Sequence, residues 1–270
     1  MTNDAGCDGF LKWAMPRRGL RWPGFRRNKR QVVRRIHGRI AELGLAGVAG
    51  YRQFLDEHPE EWTVFDALCR VTISRFGRDR EMWATLVDDV LPRLAREAME
   101  SGRRTVNAWS AGCGAGEEPF TLVIAWTVEI VPRWPVELAV LATDIDEVQL
   151  GRAAAGCFPA GALRELPDHW RRAAFDARDE ERLLREPFRA PVRFAHHDVR
   201  SSPPDGAFDL VLCRNLAFSY FDEPVQAAVA TSLRAVLRTG GVLVVGNDER
   251  VPDGVRGLVP TSHGIYLATE

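Results

Sequence analysis

The sequence predicts an α/β protein in two parts: a small, basic, all-helical N-terminal domain, then a doubly wound, mainly parallel sheet that ends in an antiparallel hairpin. Three observations predict it. Residues 17–95 carry apolar side chains at helical spacing and no strand-like run. Beyond them, short apolar runs alternate with helical stretches, as in a parallel sheet with crossover helices. A glycine-rich turn, WSAGCGAGEEPF at 109–120, lies where the first of those strands hands over to its helix.

Taken in order, residues 1–16 read as a loose leader. Residues 26–45 place Val32, Val33, Ile36, Ile40 and Leu43 on one helical face and stop at Gly44. Further helices are expected at 48–58, 61–68 and 80–99. The last has Trp83, Leu86, Val87, Val90, Leu91 and Leu94 on one side, and Pro92 predicts a kink or break in it. A second domain, 96–270, follows. Its strands are expected at 105–110, 136–143, 192–196, 208–213 and 241–246, and its helices at 118–130, 147–155, 163–172 and 224–237. Residues 258–260 and 264–268 complete it as the hairpin.

At 270 residues the chain accommodates one large domain or two small ones. No apolar run approaches the ~18 residues of a membrane span, and the N-terminus lacks a charged start followed by an apolar core. The five cysteines (7, 69, 113, 157 and 213) show no metal-ligand spacing. They read as reduced thiols of a cytoplasmic protein without a metal. Net charge is −1, yet residues 17–39 hold nine Arg and one Lys and no acid. A basic lobe facing an anionic partner, nucleic acid, or a solvated face would each account for that run. Nothing resembles a base-reading module, so no nucleic acid is expected.

Gly112, Gly114 and Gly116 permit a sharp turn and close approach of a ligand to the main chain. Glu117 and Glu118 come next, at the start of a helix. They would repel a pyrophosphate and suit a cation, which points to S-adenosylmethionine, with its sulfonium and ammonium. The apolar run at 138–143 ends on Asp144, placed to bond ribose hydroxyls. Asp146 fits a helix N-cap. Asp198, just past the 192–194 run, is placed to accept an adenine amine or is a surface loop acid. His196 and His197 have no ligand partner and read as structural. FDLVLCRN at 208–215 reads as a buried strand that delivers Arg214 and Asn215 to its carboxyl end, beside the reacting methyl group, with Tyr220 near.

WSAGCGAGEEPF, ATDID and FDLVLCRN, in this order, resemble the chemotaxis receptor methyltransferases. KRQVVRRIHGRI at 29–40, VTISRFGRD at 71–79, GGVLVVGNDE at 240–249 and GIYL at 264–267 extend the resemblance from about residue 20 to 266. It implies a Rossmann-like class I methyltransferase sheet, S-adenosylmethionine as cofactor with S-adenosylhomocysteine as product, and methylation of protein glutamate carboxylates. Apart from the resemblance, a monomer is expected. The resemblance implies that Arg78 reaches the carboxylate of the cofactor's methionine part and that Glu118, with Glu117, holds its amino end. Asp144 would bind ribose and Asp198 would lie near adenine. Asn215 and Tyr220 would line the transfer site, and Arg34, Arg35 and Arg39 would face an acidic protein substrate. The sequence departs from the family at Phe76–Gly77, where the usual second phenylalanine is missing, and at Asn247–Asp248–Glu249, where His–Ser–Glu is usual. Residues 176–192 lack the glycine-rich hairpin of some members. A small-molecule acid as acceptor, and a cofactor-binding regulatory module without turnover, stay open on these grounds. The chemistry itself needs no general base, because a glutamate carboxylate with a pKa of about 4.3 is ionised at neutral pH.

Overall fold

The computed structural model describes residues 4–72, 74–262 and 264–270. It divides into two compact units: Met1–Thr72 with Ser219–Val225, and Ile73–Phe218 with Gln226–Glu270.

The first unit is helical, with helices Asp4–Ala14, Lys29–Glu42, Val48–Glu57 and Glu61–Cys69. The expected leader is a correction: from residue 4 it is a helix, and Cys7, Phe10, Leu11 and Ala14 are buried. Those positions have helical spacing, but two glycines and two aspartates among them mask the pattern. The apolar face of Lys29–Glu42 is the expected one, with Val32, Val33, Ile36 and Ile40 buried. Behind it sits a polar knot. Arg39 donates to both carboxylate oxygens of the buried Glu61 at 2.9 and 2.8 Å, and the Tyr51 hydroxyl donates to the same carboxylate at 2.9 Å.

Residues 73–95 also differ from expectation, because they belong to the second unit. Helices Arg80–Thr85 and Leu91–Glu100, with the turn between them, send Trp83, Leu86, Leu91 and Leu94 into one hydrophobic core with strand residues Val106, Ala108 and Leu210. Burial against the sheet, which the helical pattern does not report, assigns them there. Pro92 does not break the helix. A π turn at Leu86–Val90, with the Leu91 amide donating to the Leu86 carbonyl, absorbs it.

The main sheet comprises β1 (Thr105–Ala111), β2 (Glu137–Asp144), β6 (Val192–His196), β7 (Phe208–Leu212), β8 (Leu237–Val244), β9 (Leu258–Ser262) and β10 (Ile265–Ala268). Their order is β6-β2-β1-β7-β8-β10-β9. The first five are parallel, and β10 and β9 are antiparallel to their neighbours. This is the expected doubly wound sheet with its C-terminal hairpin. All five residues of β7 are buried, as a central strand covered on both faces requires. A second sheet, β3 (Cys157–Pro159), β4 (Phe175–Arg178) and β5 (Glu181–Leu184), has the order β3-β5-β4 and is antiparallel. It is absent from the sequence reading, because strands of three or four residues, mostly polar, carry no period.

From β1 the chain winds outward to β2 and β6, then returns to the other side of β1 as β7 and β8. The loops after β1 and β7 therefore diverge, and the crevice between them is the ligand position of this architecture.

The Glu61 knot yields a prediction. Hydrogen bonds from Arg39, joined by Tyr51, hold the Glu61 carboxyl below the ordinary range against the opposing effect of burial. Its stabilisation is thus fully present above about pH 4.3 and is lost as pH falls through the lower folded value. Glu61→Ala, which leaves Arg39 and Tyr51 without their acceptor, should destabilise the first unit by about 2–4 kcal/mol at neutral pH. Thermal melts at pH 7 and pH 3 check it, with the difference between wild type and variant shrinking at pH 3.

Candidate active site

The glycine loop leaves β1 and is pinned to the end of β2. Gly112 and Cys113 amides donate to the Thr143 carbonyl at 2.8 and 2.9 Å, and the Gly114 amide donates to Asp144 Oδ2 at 2.8 Å. The other Asp144 oxygen accepts the Asp146 amide at 2.9 Å. Asp144 therefore shapes the loop from the strand end. Asp146 caps helix Glu147–Ala155 through the Val148 and Gln149 amides. Gly112 has φ 81°, and a side chain there would collide with Leu216; Gly114 has φ 55° and faces open space. The first glycine lets the loop close on the β7 end, and the second leaves the main chain bare to a ligand.

The two glutamates that open helix Glu117–Ala125 have different environments. Glu118, expected with Glu117 at the cofactor's amino end, accepts Ser110 Oγ at 2.8 Å and Arg214 Nη1 at 3.2 Å. Glu117 is 8% exposed, is bonded to Ser74, and has one carboxylate oxygen buried without a partner. Burial pushes its carboxyl above the ordinary range. Arg152 opposes that shift, and burial raises Glu118 as well, against the Arg214 charge. What sets Glu117 apart is its unpartnered buried oxygen, which a cation would satisfy.

Arg214, expected beside the reacting group, is buried; its guanidinium donates through Nη2 to Asp79 at 2.7 Å and to the Arg78 carbonyl at 2.9 Å, and through Nη1 to Glu118. It positions Arg78, the expected partner of the cofactor carboxylate, through that residue's own main chain. Asp79 carries φ 66°, a left-handed backbone that costs a non-glycine residue on the order of 1 kcal/mol. Asn215 carries φ 55° at the end of β7. Its amide donates to Glu249 Oε2 at 2.6 Å, and its Oδ1 is buried without a partner. Asp79 and Glu249 are the site residues that sequence reasoning passed over. Both lay inside quoted motifs, but nothing local showed them to be partners of Arg214 and Asn215.

Most of the other expected residues have partners within the protein. Asp198 is gripped by Arg200 through its side chain and amide. Burial raises its carboxyl, but the Arg200 bonds and charge outweigh that and hold it low. His197 packs edge-on against Trp109 and bonds the Ser202 carbonyl at 2.9 Å. The Tyr220 hydroxyl accepts from Asn28 Nδ2 at 3.1 Å within the first unit. Arg35 donates to the Leu68 and Arg70 carbonyls and Arg39 to Glu61, so only Arg34 of the expected substrate trio is fully exposed.

A family profile described as "CheR methyltransferase, SAM binding domain" matches residues 72–264. The chain belongs to this family. A "Chemotaxis protein methyltransferase" of Listeria innocua is 31% identical over 206 residues, 76% of either chain. A "Chemotaxis protein methyltransferase 2" of Vibrio cholerae is 30% identical over 237 residues, 83% of this chain and 79% of that one. A 104.1 kDa protein of Rhodobacter capsulatus is 31% identical over 221 residues, 81% of this chain but 23% of its own length. As a CheR-family methyltransferase, the protein uses S-adenosylmethionine. The residues fit that cofactor: a buried acid with an unpartnered oxygen for its ammonium, a bare glycine, and an orphaned buried carboxamide oxygen at the switch point. Among the described residues no group of three or more His, Cys, Asp or Glu is arranged to hold a metal.

Glu117 gives opposite signs for stability and binding. Its raised carboxyl means that the ligand-free protein gains stability as pH falls through the folded value, and Glu117→Gln imitates the protonated form. The variant should be more stable than wild type by roughly 1 kcal/mol, yet bind S-adenosylhomocysteine at least about tenfold more weakly at pH 7. Calorimetric melts and titrations on the same samples check both.

Proposed function

We propose that the enzyme methylates glutamate side-chain carboxylates in an acidic segment of a protein. The observation that carries this acceptor is the outward face of helix Lys29–Glu42. Arg30 and Arg34 are exposed one turn apart, and Arg26 and Arg27 are exposed in the preceding turn. No acid occurs between Arg17 and Arg39, so this face attracts an anionic partner. Arg35 and Arg39, turned to their own carbonyls and carboxylates, support the face rather than extend it.

The chemistry agrees. S-adenosylmethionine supplies its methyl group as a sulfonium, the S–C electron pair staying on sulfur while the carboxylate oxygen forms the ester bond and no proton moves. The chain's part is to orient and to exclude water. Asp144 and the glycine loop offer a fixed cradle, Glu117 a buried anion, Arg78 a cation, and Asn215 a held carboxamide. Cys113 and Cys213, also at this edge, are pushed far up by burial and stay protonated thiols. Residues 110–118 and 212–216 contain no His or Lys, which suits an acceptor that is already ionised. All five cysteines are free, which suits a reducing cytoplasm. No helix among the described residues is long and apolar enough to cross a membrane.

Incubation with tritiated S-adenosylmethionine and, separately, bacterial membranes, cytosolic protein and a small-molecule extract tests the reading. Base-labile label released as methanol from a protein fraction is the expected outcome. Base-stable label, or ester confined to the small-molecule extract, would sink the proposed acceptor. In the same assay, Arg30→Glu with Arg34→Glu should raise the half-saturating acceptor concentration at least about tenfold and leave S-adenosylhomocysteine affinity unchanged.

A further inference from the structure

We infer that Glu249 is a positioning residue for methyl transfer, acting through Asn215; this rests on the methyltransferase reading above. Asn215 sits where β7 leaves the sheet, in a left-handed backbone that asparagine tolerates but does not impose. Glu249 imposes it. One carboxylate oxygen accepts the Asn215 amide at 2.6 Å and the Gly246 amide at 2.7 Å. At 4% exposure this acceptor has little competition from water. A single buried oxygen thereby ties the end of β7 to the end of β8 and sets the peptide plane that enters Asn215.

The side chain is restrained from the other direction. The Asn215 carboxamide nitrogen lies where a Cβ on Gly246 would stand, so the glycine provides the room that its rotamer needs. With the nitrogen held there, Oδ1 remains buried and without a partner. An acceptor kept in that state at the switch point is poised for a main-chain N–H of the arriving acceptor segment. The other nearby acid cannot replace Glu249, because Ser110 and Arg214 occupy Glu118. Loss of the Glu249 carboxylate frees two amides, releases the left-handed turn and lets the carboxamide leave its place.

The test is a double-mutant cycle on the full chain, pairing Glu249→Ala with Asn215→Gly, since glycine accepts φ 55° without strain. The readouts are S-adenosylhomocysteine affinity by calorimetry, turnover as base-labile label on bacterial membranes, and hydrogen exchange of the Asn215 amide in protein labelled with ¹⁵N-asparagine. Glu249→Ala should lower turnover roughly 10–100-fold, change cofactor affinity by less than about threefold, and speed Asn215 exchange at least about tenfold while the Asn107 amide is unaffected. In the Asn215→Gly background the same change should cost less than about threefold more. Glu249→Gln, which keeps an acceptor oxygen, should restore most of the turnover and the slow exchange. If Glu249→Ala does not fold, Glu249→Asp, one methylene shorter, should show the same coupling with a loss of about 3–10-fold. Multiplying losses in the double variant, cofactor affinity falling in step with turnover, or unchanged Asn215 exchange would each overturn the role. A wild type that labels no acceptor overturns the acceptor reading alone. The role of Glu249 is then decided by exchange, and by whether S-adenosylhomocysteine shifts the Asn215 carboxamide signal in wild type but not in Glu249→Ala.

Discussion

The site depends on one buried guanidinium. The Arg214 side chain is 5% exposed and meets Asp79, Glu118 and the Arg78 carbonyl, groups brought from the segment before the first helix of the second unit, from the helix after the glycine loop, and to the end of β7. Removing one member of such a buried set leaves its partners charged and unsolvated, which typically costs about 3–5 kcal/mol. This constraint explains the division between the adjacent glutamates. Arg214 gives Glu118 a guanidinium partner at 3.2 Å, whereas Glu117 keeps one buried oxygen without a donor, although burial raises both carboxyls.

Two left-handed non-glycine residues flank that clamp, and each is held by a buried charge. Arg214 holds Asp79, and Glu249 holds Asn215. Strain is kept at a site only where the surroundings over-determine it. Here the determinants are charge-assisted hydrogen bonds of 2.6–2.7 Å in places with little water. The sheet supplies the place, because its strand order opens a crevice between β1 and β7, and the buried charges supply the precision within it.

The sequence carried as much of this as its local patterns could express. Gly112, Gly114, Glu117 and Glu118 are consecutive or nearly so, and Asp144 closes an apolar run, so loop, strand and acid are readable together. Arg214 and Asn215 were placed correctly at the strand end, but the partner of Arg214 stands 135 residues away and that of Asn215 34 residues away. No spacing rule links such pairs, and so the clamp itself was not legible. The same limit applies to Arg39, whose partner Glu61 is 22 residues on. The three-stranded sheet and the helix from Asp4 were missed for a different reason. Their segments are too short, or too interrupted by glycine and aspartate, for period to outweigh composition.

That limit bears on how charge runs are read. Ten cations between Arg17 and Arg39 suggest a broad basic surface, but several are spent inward: Arg18 on Asp66, Lys29 on Asp8, Arg35 on carbonyls, Arg39 on Glu61. What remains outward is a narrower set around Arg26, Arg30 and Arg34, in water, where attraction is screened within about 8 Å at physiological salt. The site we propose for the cofactor's cation is a contrasting environment, a buried acid in little water, where the same charge acts far more strongly. On that reading one chain treats its two charged ligands by different physics. The buried acid would contribute cofactor affinity that salt barely alters, and the exposed arginines would contribute salt-sensitive capture of the proposed acidic acceptor, which must also be released once each carboxylate has become an uncharged ester.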